Sequence, residues 1–123
     1  GILQEEAKLE EIVRLVGTEA LSAKERLTLE TAKSLREEFL FQNAFDPVDA
    51  FTPLDKQYWM LKSIMNIYNQ SLKVVDQKDF DFEDLLKLDV LKKIAGCKEL
   101  QKKEEFENLW EETEKQILSL QRS

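Results

Sequence analysis

Apolar positions along the chain recur at intervals of three and four, the spacing of one face of an α-helix. No segment of useful length alternates as a strand would. Leu9, Ile12, Val13 and Val16 share one face of a first helix over Leu3 to Val16. Gly17 follows directly, the residue favoured just past a helix end. Residues 18–22 form a turn, and Ser22 starts a second helix. Ser22 and Glu25 have capping-box spacing: the hydroxyl meets a free amide of the first turn and the carboxylate reaches back. Leu27, Leu35 and Phe39 are spaced to face a core, with Thr31 and Ala32 between them, while Lys24, Glu30, Lys33, Arg36 and Glu37 belong to solvent. Asn43 and Pro47 disfavour continuation, so this helix should end near Phe41.

The connection that follows, QNAFDPVDAFTP, is apolar for a loop. Its rings at Phe45 and Phe51 either pack on their own domain, the commoner use, or face a ligand or partner. Thr52 and Pro53 have the chemistry of a helix start: threonine caps, and proline at the first position forfeits no hydrogen bond. Leu54, Tyr58, Leu61, Met65, Tyr68, Leu72 and Val75 then form the cleanest stripe in the chain, predicting a long third helix laid against the second. Trp59, Ile64 and Ile67 widen its apolar surface, which suits a globular bundle better than a coiled coil. Residues 76–84 read as an acidic loop anchored by Phe80 and Phe82. Short helices follow over Glu83 to Leu88 and over Val90 to Ala95, the latter capped by Asp89 and stopped by Gly96. A last helix spans Lys102 to Gln121, with Phe106, Leu109, Trp110, Thr113, Ile117 and Leu120 on one side and Glu104, Glu105, Glu111, Glu112 and Lys115 on the other. The pattern predicts an all-α bundle of about four main helices plus short ones.

At 123 residues the chain is one domain by size, residues 1–123. Gly1 reads as the scar of a removed tag. Only three glycines and two prolines interrupt it, as long helices require. The net charge of −7 makes a phosphate backbone, and so nucleic acid, a poor partner. The single cysteine, Cys97, has no partner for an internal disulfide and no metal-ligand spacing around it. An incidental or part-buried thiol is the simpler reading. No apolar run is long enough to span a bilayer, so any membrane association goes through partners.

The sequence carries little chemistry of its own. A phosphate-cradling loop needs a glycine-rich turn with a lysine and a hydroxyl at fixed spacing, and Gly17 and Gly96 stand alone. Histidine is absent, which removes Ser-His and Cys-His pairs. The many carboxylates sit among charged neighbours at helical spacing and read as a solvated surface, without the apolar cleft that shifts a pKa. No catalytic residue, metal site or cofactor is assigned to this chain by itself, and by itself it is not expected to be an enzyme.

Two motifs in order, LVGxxAL and QNAFxxVD within Glu11 to Pro53, resemble the C-terminal helical region of the catalytic alpha chain of V-type and archaeal A-type rotary ATPases. Gln57 to Ile94 carries a weaker likeness, through MLKSIMNIYNQSL and LLKLDVLKKI, while the last helix matches only in character. More distantly, the segment resembles the F-type catalytic beta subunit, whose acidic helix–turn–helix touches the rotor shaft. That place falls here on TEALSAKER, Thr18 to Arg26. The resemblance implies that Glu19, Ser22, Lys24 and Glu25 lie at a rotor-facing tip, with Lys24 and Arg26 diluting its acidity. It also implies that Gln42, Asn43, Ala44 and Phe45 form part of the adenine-side wall of the nucleotide site. Phe41 and Gln42 stand where the family usually has Gln-Gln, and Thr52 where it often has cysteine before the proline.

On that resemblance the chain is a helical lever in the soluble, cytoplasmic head of a membrane-bound motor. Its partners would be the B subunit of that head and the central stalk subunits, and the full-length parent would use ATP or ADP with Mg to drive proton or sodium transport. The alternative is a free-standing helical interaction module, which the composition fits equally well.

Overall fold

The computed structural model of the chain describes residues 1–37 and 54–122. Among the described residues there are six α-helices and no strand: α1 (Ile2–Val16), α2 (Ala23–Ser34), α3 (Leu54–Ser71), α4 (Phe82–Leu86), α5 (Asp89–Ala95) and α6 (Lys103–Leu118). The fold is all-α, as the spacing predicts, and most helix bounds fall within two residues of those read from the pattern.

The helices pack in two groups. α1 and α2 form an antiparallel hairpin: they pack along each other, the connection is only residues 17–22, and Glu6 near the start of α1 meets Arg36 beyond the end of α2. Residues 35–37 continue α2 as a wider π-type turn. α3 and α6 form the other group, and they run parallel. Trp59 stacks near Phe106, with centroids 5.5 Å apart, and one turn on Trp110 Nε1 donates to Ser63 Oγ at 2.7 Å. α5 lies antiparallel on α6, since the Val90 amide donates to Gln116 Oε1 at 2.9 Å and Lys93 reaches Glu112 at 2.9 Å.

The long third helix departs from its predicted register. Leu54 and Tyr58 are 81% and 61% exposed, and the residues that bury on α3 are Met60, Ser63, Ile64 and Ser71. That face is turned by roughly a third of a helical turn from the predicted stripe. It is also laid chiefly on α6 rather than on α2. The reason is steric and polar: small, fully buried Ser63 lets α6 approach, and it supplies both an acceptor for the indole and a bond to the Trp59 carbonyl at 2.7 Å.

Two apolar clusters result. One joins Leu35, Met60, Ile64, Val90, Ile94, Cys97, Phe106 and Leu109. The other, nearer the 17–22 connection, joins Leu27 of α2 to Val74, Val75, Phe82, Leu85 and Ile117. Phe82 is buried as the aromatic anchor expected of its loop, whereas Phe80 is only half-buried. Cys97 is buried in the first cluster. Asp89 does not cap α5 as predicted: Leu88 holds the cap position without a side-chain bond, and Asp89 lies one residue inside, 3.5 Å from Lys93. Asp81 is the residue that caps, accepting from the Glu83 amide of α4 at 3.0 Å.

Candidate functional site

The predicted tip is a built corner. Gly17 ends α1 with φ +93° and ψ 165°, an extended positive-φ conformation that favours glycine and costs a residue with a Cβ about 1–2 kcal/mol. Its amide still closes on the Val13 carbonyl at 2.9 Å. Thr18–Ala20 make one 3-10 turn, closed by the Leu21 amide on the Thr18 carbonyl at 3.0 Å. Ser22 then caps α2: its Oγ accepts from the Glu25 amide at 3.1 Å, and Glu25 Oε1 accepts from the Ser22 amide at 2.9 Å. The capping box read from sequence is present in full. Such a cap contributes on the order of 1 kcal/mol.

Glu19, Ser22, Lys24 and Glu25 are all exposed at this corner. They divide into two kinds. Ser22 and Glu25 are bonded to each other's backbone and shape the corner. Lys24 projects from α2, and the Glu19 carboxylate folds back over Gly17, with Oε2 2.6 Å from where a Cβ would stand on that glycine. Two large apolar side chains that the pattern had not marked as exposed lie beside them: Leu15 and Val16, 68% and 65% exposed. Val16 was expected on the buried face of the first helix; instead that face closes with Leu9, buried, and with Ile12 and Val13, half-buried.

Gln42, Asn43, Ala44 and Phe45, the residues assigned to a nucleotide-site wall, lie outside the described residues, as do Phe39 and the predicted helix end at Phe41.

Sequence reasoning also missed a buried carboxylate. Glu6 is 4% exposed on α1. It accepts from Arg36, whose Nε lies 3.1 Å from Glu6 Oε1 and whose Nη2 bonds the same oxygen. Hydrogen bonding to Glu6, then its charge, raises the Arg36 pKa above the ordinary arginine value. This fork braces the end of the hairpin away from the tip. Neighbouring Glu5, Glu10 and Glu11 disguise Glu6 in the sequence, and its partner is 30 residues away.

No group of three or more acidic or cysteine side chains among the described residues could hold a metal ion, and none of the described helices is long and apolar enough to cross a membrane. A cleft of about 120 Å³ lies between α2, α3, α4 and α5, lined mainly by apolar side chains such as Leu27, Ile64, Phe82 and Leu85. Its described polar groups, Glu30, Thr31 and Ser34, do not make a reacting constellation. The arrangement presents a surface and carries no reaction centre among the described residues.

An all-α domain with a capped, exposed corner has counterparts among known proteins. Residues 1–83 match the family described as the C-terminal domain of V and A type ATP synthase. The chain belongs to that family. The subunit concerned is the alpha chain. The chain is 48% identical over 122 residues to the V-type ATP synthase alpha chain of Acetivibrio thermocellus, covering 97% of this chain and 20% of that one. It is 47% identical over 116 residues to the alpha chain of Thermoanaerobacter pseudethanolicus, covering 94% and 19%. To that of Clostridium botulinum (strain Langeland) it is 50% identical over 109 residues, covering 89% and 18%. The chain therefore spans about a fifth of the length of these relatives. With 97% of the chain covered, the likeness extends through α6, beyond the match in character that the last helix alone suggests.

Proposed function

We propose that this domain is the lever of a rotary ATPase alpha chain, bearing at residues 18–26 on the central stalk. The observation that carries the reading is the corner itself. Glu19, Ser22, Lys24 and Glu25 stand exposed on a turn fixed at both ends, by Gly17 and by the Ser22–Glu25 box. A bearing surface needs that combination, because force applied to a frayed turn would be lost in bending it. Exposed Leu15 and Val16 beside the charged groups favour a contact that is part apolar, so the partner surface is not read by charge alone.

The other half of the lever is the segment Gln42 to Phe45, assigned to the adenine-side wall on resemblance alone. In chain order it follows the end of α2 opposite the tip, and α2 with its wider turn spans roughly 20 Å. Nucleotide occupancy at one end would displace a packed, stiff body whose other end presses on the stalk. Phe45 would stack on the purine, a contact worth roughly 1–3 kcal/mol, so Phe45→Ala should weaken ATP binding in the assembled complex. The residues of this chain do not fit the nucleotide's phosphates or Mg: the sequence has no glycine-rich turn with lysine. That chemistry belongs to the rest of the full-length alpha chain, and the B subunit and the stalk are its proposed partners in the soluble head. As part of that alpha chain, residues 1–123 act as one domain.

The test is made in the whole complex. Deleting Thr18–Ala20 should leave ATP hydrolysis but abolish hydrolysis-driven ion transport. Transport that survives the deletion with full torque removes the lever reading.

A further inference from the structure

Arg26 completes the first turn of α2, and its amide closes on the Ser22 carbonyl at 2.9 Å. Its side chain is 26% exposed and reaches from the corner, beside Thr18 and Glu19, to the start of α4. Nη2 donates to Glu83 Oε1 at 3.0 Å, across 57 residues of sequence. The guanidinium carbon lies 4.6 Å from the centroid of the Phe82 ring. Nε is buried without a hydrogen-bond partner, so the ring face and Glu83 carry the interaction.

The receiving end is fixed as well. Phe82 is 6% exposed and belongs to the cluster of Leu27, Val74, Val75, Leu85 and Ile117. Asp81 holds the Glu83 amide at 3.0 Å, setting the first turn of α4. Arg26 thus spans from the turn that forms the corner to a capped, packed helix start in the body of the domain. The hairpin needs such a tie. α1 packs chiefly on α2, and near the corner α2 is anchored to the body by Leu27, 2% exposed, together with Arg26.

We infer that Arg26 is a positioning strut that locks the 18–26 corner onto the body of the domain through Phe82 and Glu83. The inference rests on the proposed bearing role of that corner. It adds to the charge picture drawn from sequence: the Arg26 charge is paired with Glu83, and both side chains stay partly exposed beside the corner. Lysine is a poor substitute, since it lacks the planar cation that lies over the ring.

The experiment uses the full-length alpha chain in the assembled ATPase. It measures hydrolysis, ion transport and amide exchange by mass spectrometry on the same preparation. For Arg26→Glu, exchange over residues 18–25 should rise about tenfold, while exchange over 103–118 stays at the wild-type rate. Ions moved per ATP should fall with hydrolysis retained. The paired reversal Arg26→Glu with Glu83→Arg should recover part of both losses, and Arg26→Lys should fall between. If Arg26→Glu fails to assemble, Arg26→Lys carries the same test. A Glu19→Ala/Lys24→Ala variant reports on the bearing surface itself. Unchanged exchange over 18–25 in the Arg26 variants overturns the strut, whatever the tip variant does. Faster exchange with undiminished transport in both the Arg26 and the tip variants supports the tether and overturns the bearing role on which its use depends.

Discussion

The α3–α6 pair and the α1–α2 hairpin are both helix pairs, held together by different physics. On α6, Phe106, Thr113 and Ile117 are fully buried, and α3 answers with Met60, Ser63, Ile64 and Ser71. That contact is continuous, and no single bond carries it. On α1, Glu6 and Leu9 are the buried residues of fifteen. α2 buries Leu27, Thr28, Leu29, Thr31 and Ala32, so within the hairpin it is α1 and the corner that rely on discrete ties: the Glu6–Arg36 fork, the Gly17 turn, the Ser22–Glu25 box and the Arg26 strut. A body closed by packing resists local insult until it fails as a whole. An arm held by ties can lose one and loosen alone. The proposed lever would need both: a body that does not bend, and an arm whose direction is set by a few contacts.

The sharpest way to break this contrast is to hollow the body. Phe106→Ala removes a ring that touches both Trp59 and Trp110, at centroid distances of 5.5 and 6.4 Å. The cost should be about 3–5 kcal/mol, read by urea unfolding, with the arm and the body melting together. A loss below about 1 kcal/mol would mean the body is not one packed unit. Next is Ser63→Ala, which leaves the Trp110 indole N–H without its 2.7 Å acceptor. About 1–2 kcal/mol should be lost, and the fluorescence of the half-buried Trp110 should shift. Stability unchanged by this substitution would show that the serine is only a spacer.

On the arm, Gly17→Ala forces a Cβ into φ +93°, against the folded-back Glu19 carboxylate. The expected cost is about 1–2 kcal/mol, and amide exchange should rise over 17–22 while α6 is unaffected. If instead α6 exchanges faster as well, the arm does not open by itself and the contrast fails.

How much of this was legible in the sequence follows the same division. Helix bounds came through because Gly17, the Ser22–Glu25 spacing and Gly96 are local signals, and local chemistry sets the ends of helices. The face of α3 did not. Leu54, Tyr58, Leu61, Met65 and Tyr68 make one regular stripe, and Met60, Ser63, Ile64, Ile67 and Ser71 make another. Periodicity cannot rank two stripes on one helix, and serine reads as surface until a tryptophan 47 residues away is seen to need it. The corner was legible as a turn, and it was the resemblance that placed Glu19, Ser22, Lys24 and Glu25 there, where all four are exposed. Its supports were not, because Glu6–Arg36 and Arg26–Glu83 pair across long separations and each member, taken alone, looks like a solvated charge.

The start of α6 gives the smallest effect and the finest comparison with the cap at Ser22. There the bonds also come from a carboxylate three residues in: Glu105 Oε1 accepts from the Lys102 amide at 2.9 Å and the Gln101 amide at 3.1 Å. Those two backbone bonds, the first-named the stronger, hold the Glu105 pKa below the ordinary carboxylate value. A carboxylate whose folded pKa is depressed lends its stability above the unfolded pKa, and that stability disappears as pH falls through the folded one. The α6 start should therefore loosen as pH falls from the ordinary carboxylate pKa through the depressed folded one, and stay constant from the ordinary value up to neutral pH. Glu105→Gln keeps an oxygen acceptor but does not titrate, so it should flatten that acid limb, read as exchange of the 101–106 amides against pH. The group is exposed and the effect small. An acid limb of the same slope in Glu105→Gln would place the titration elsewhere.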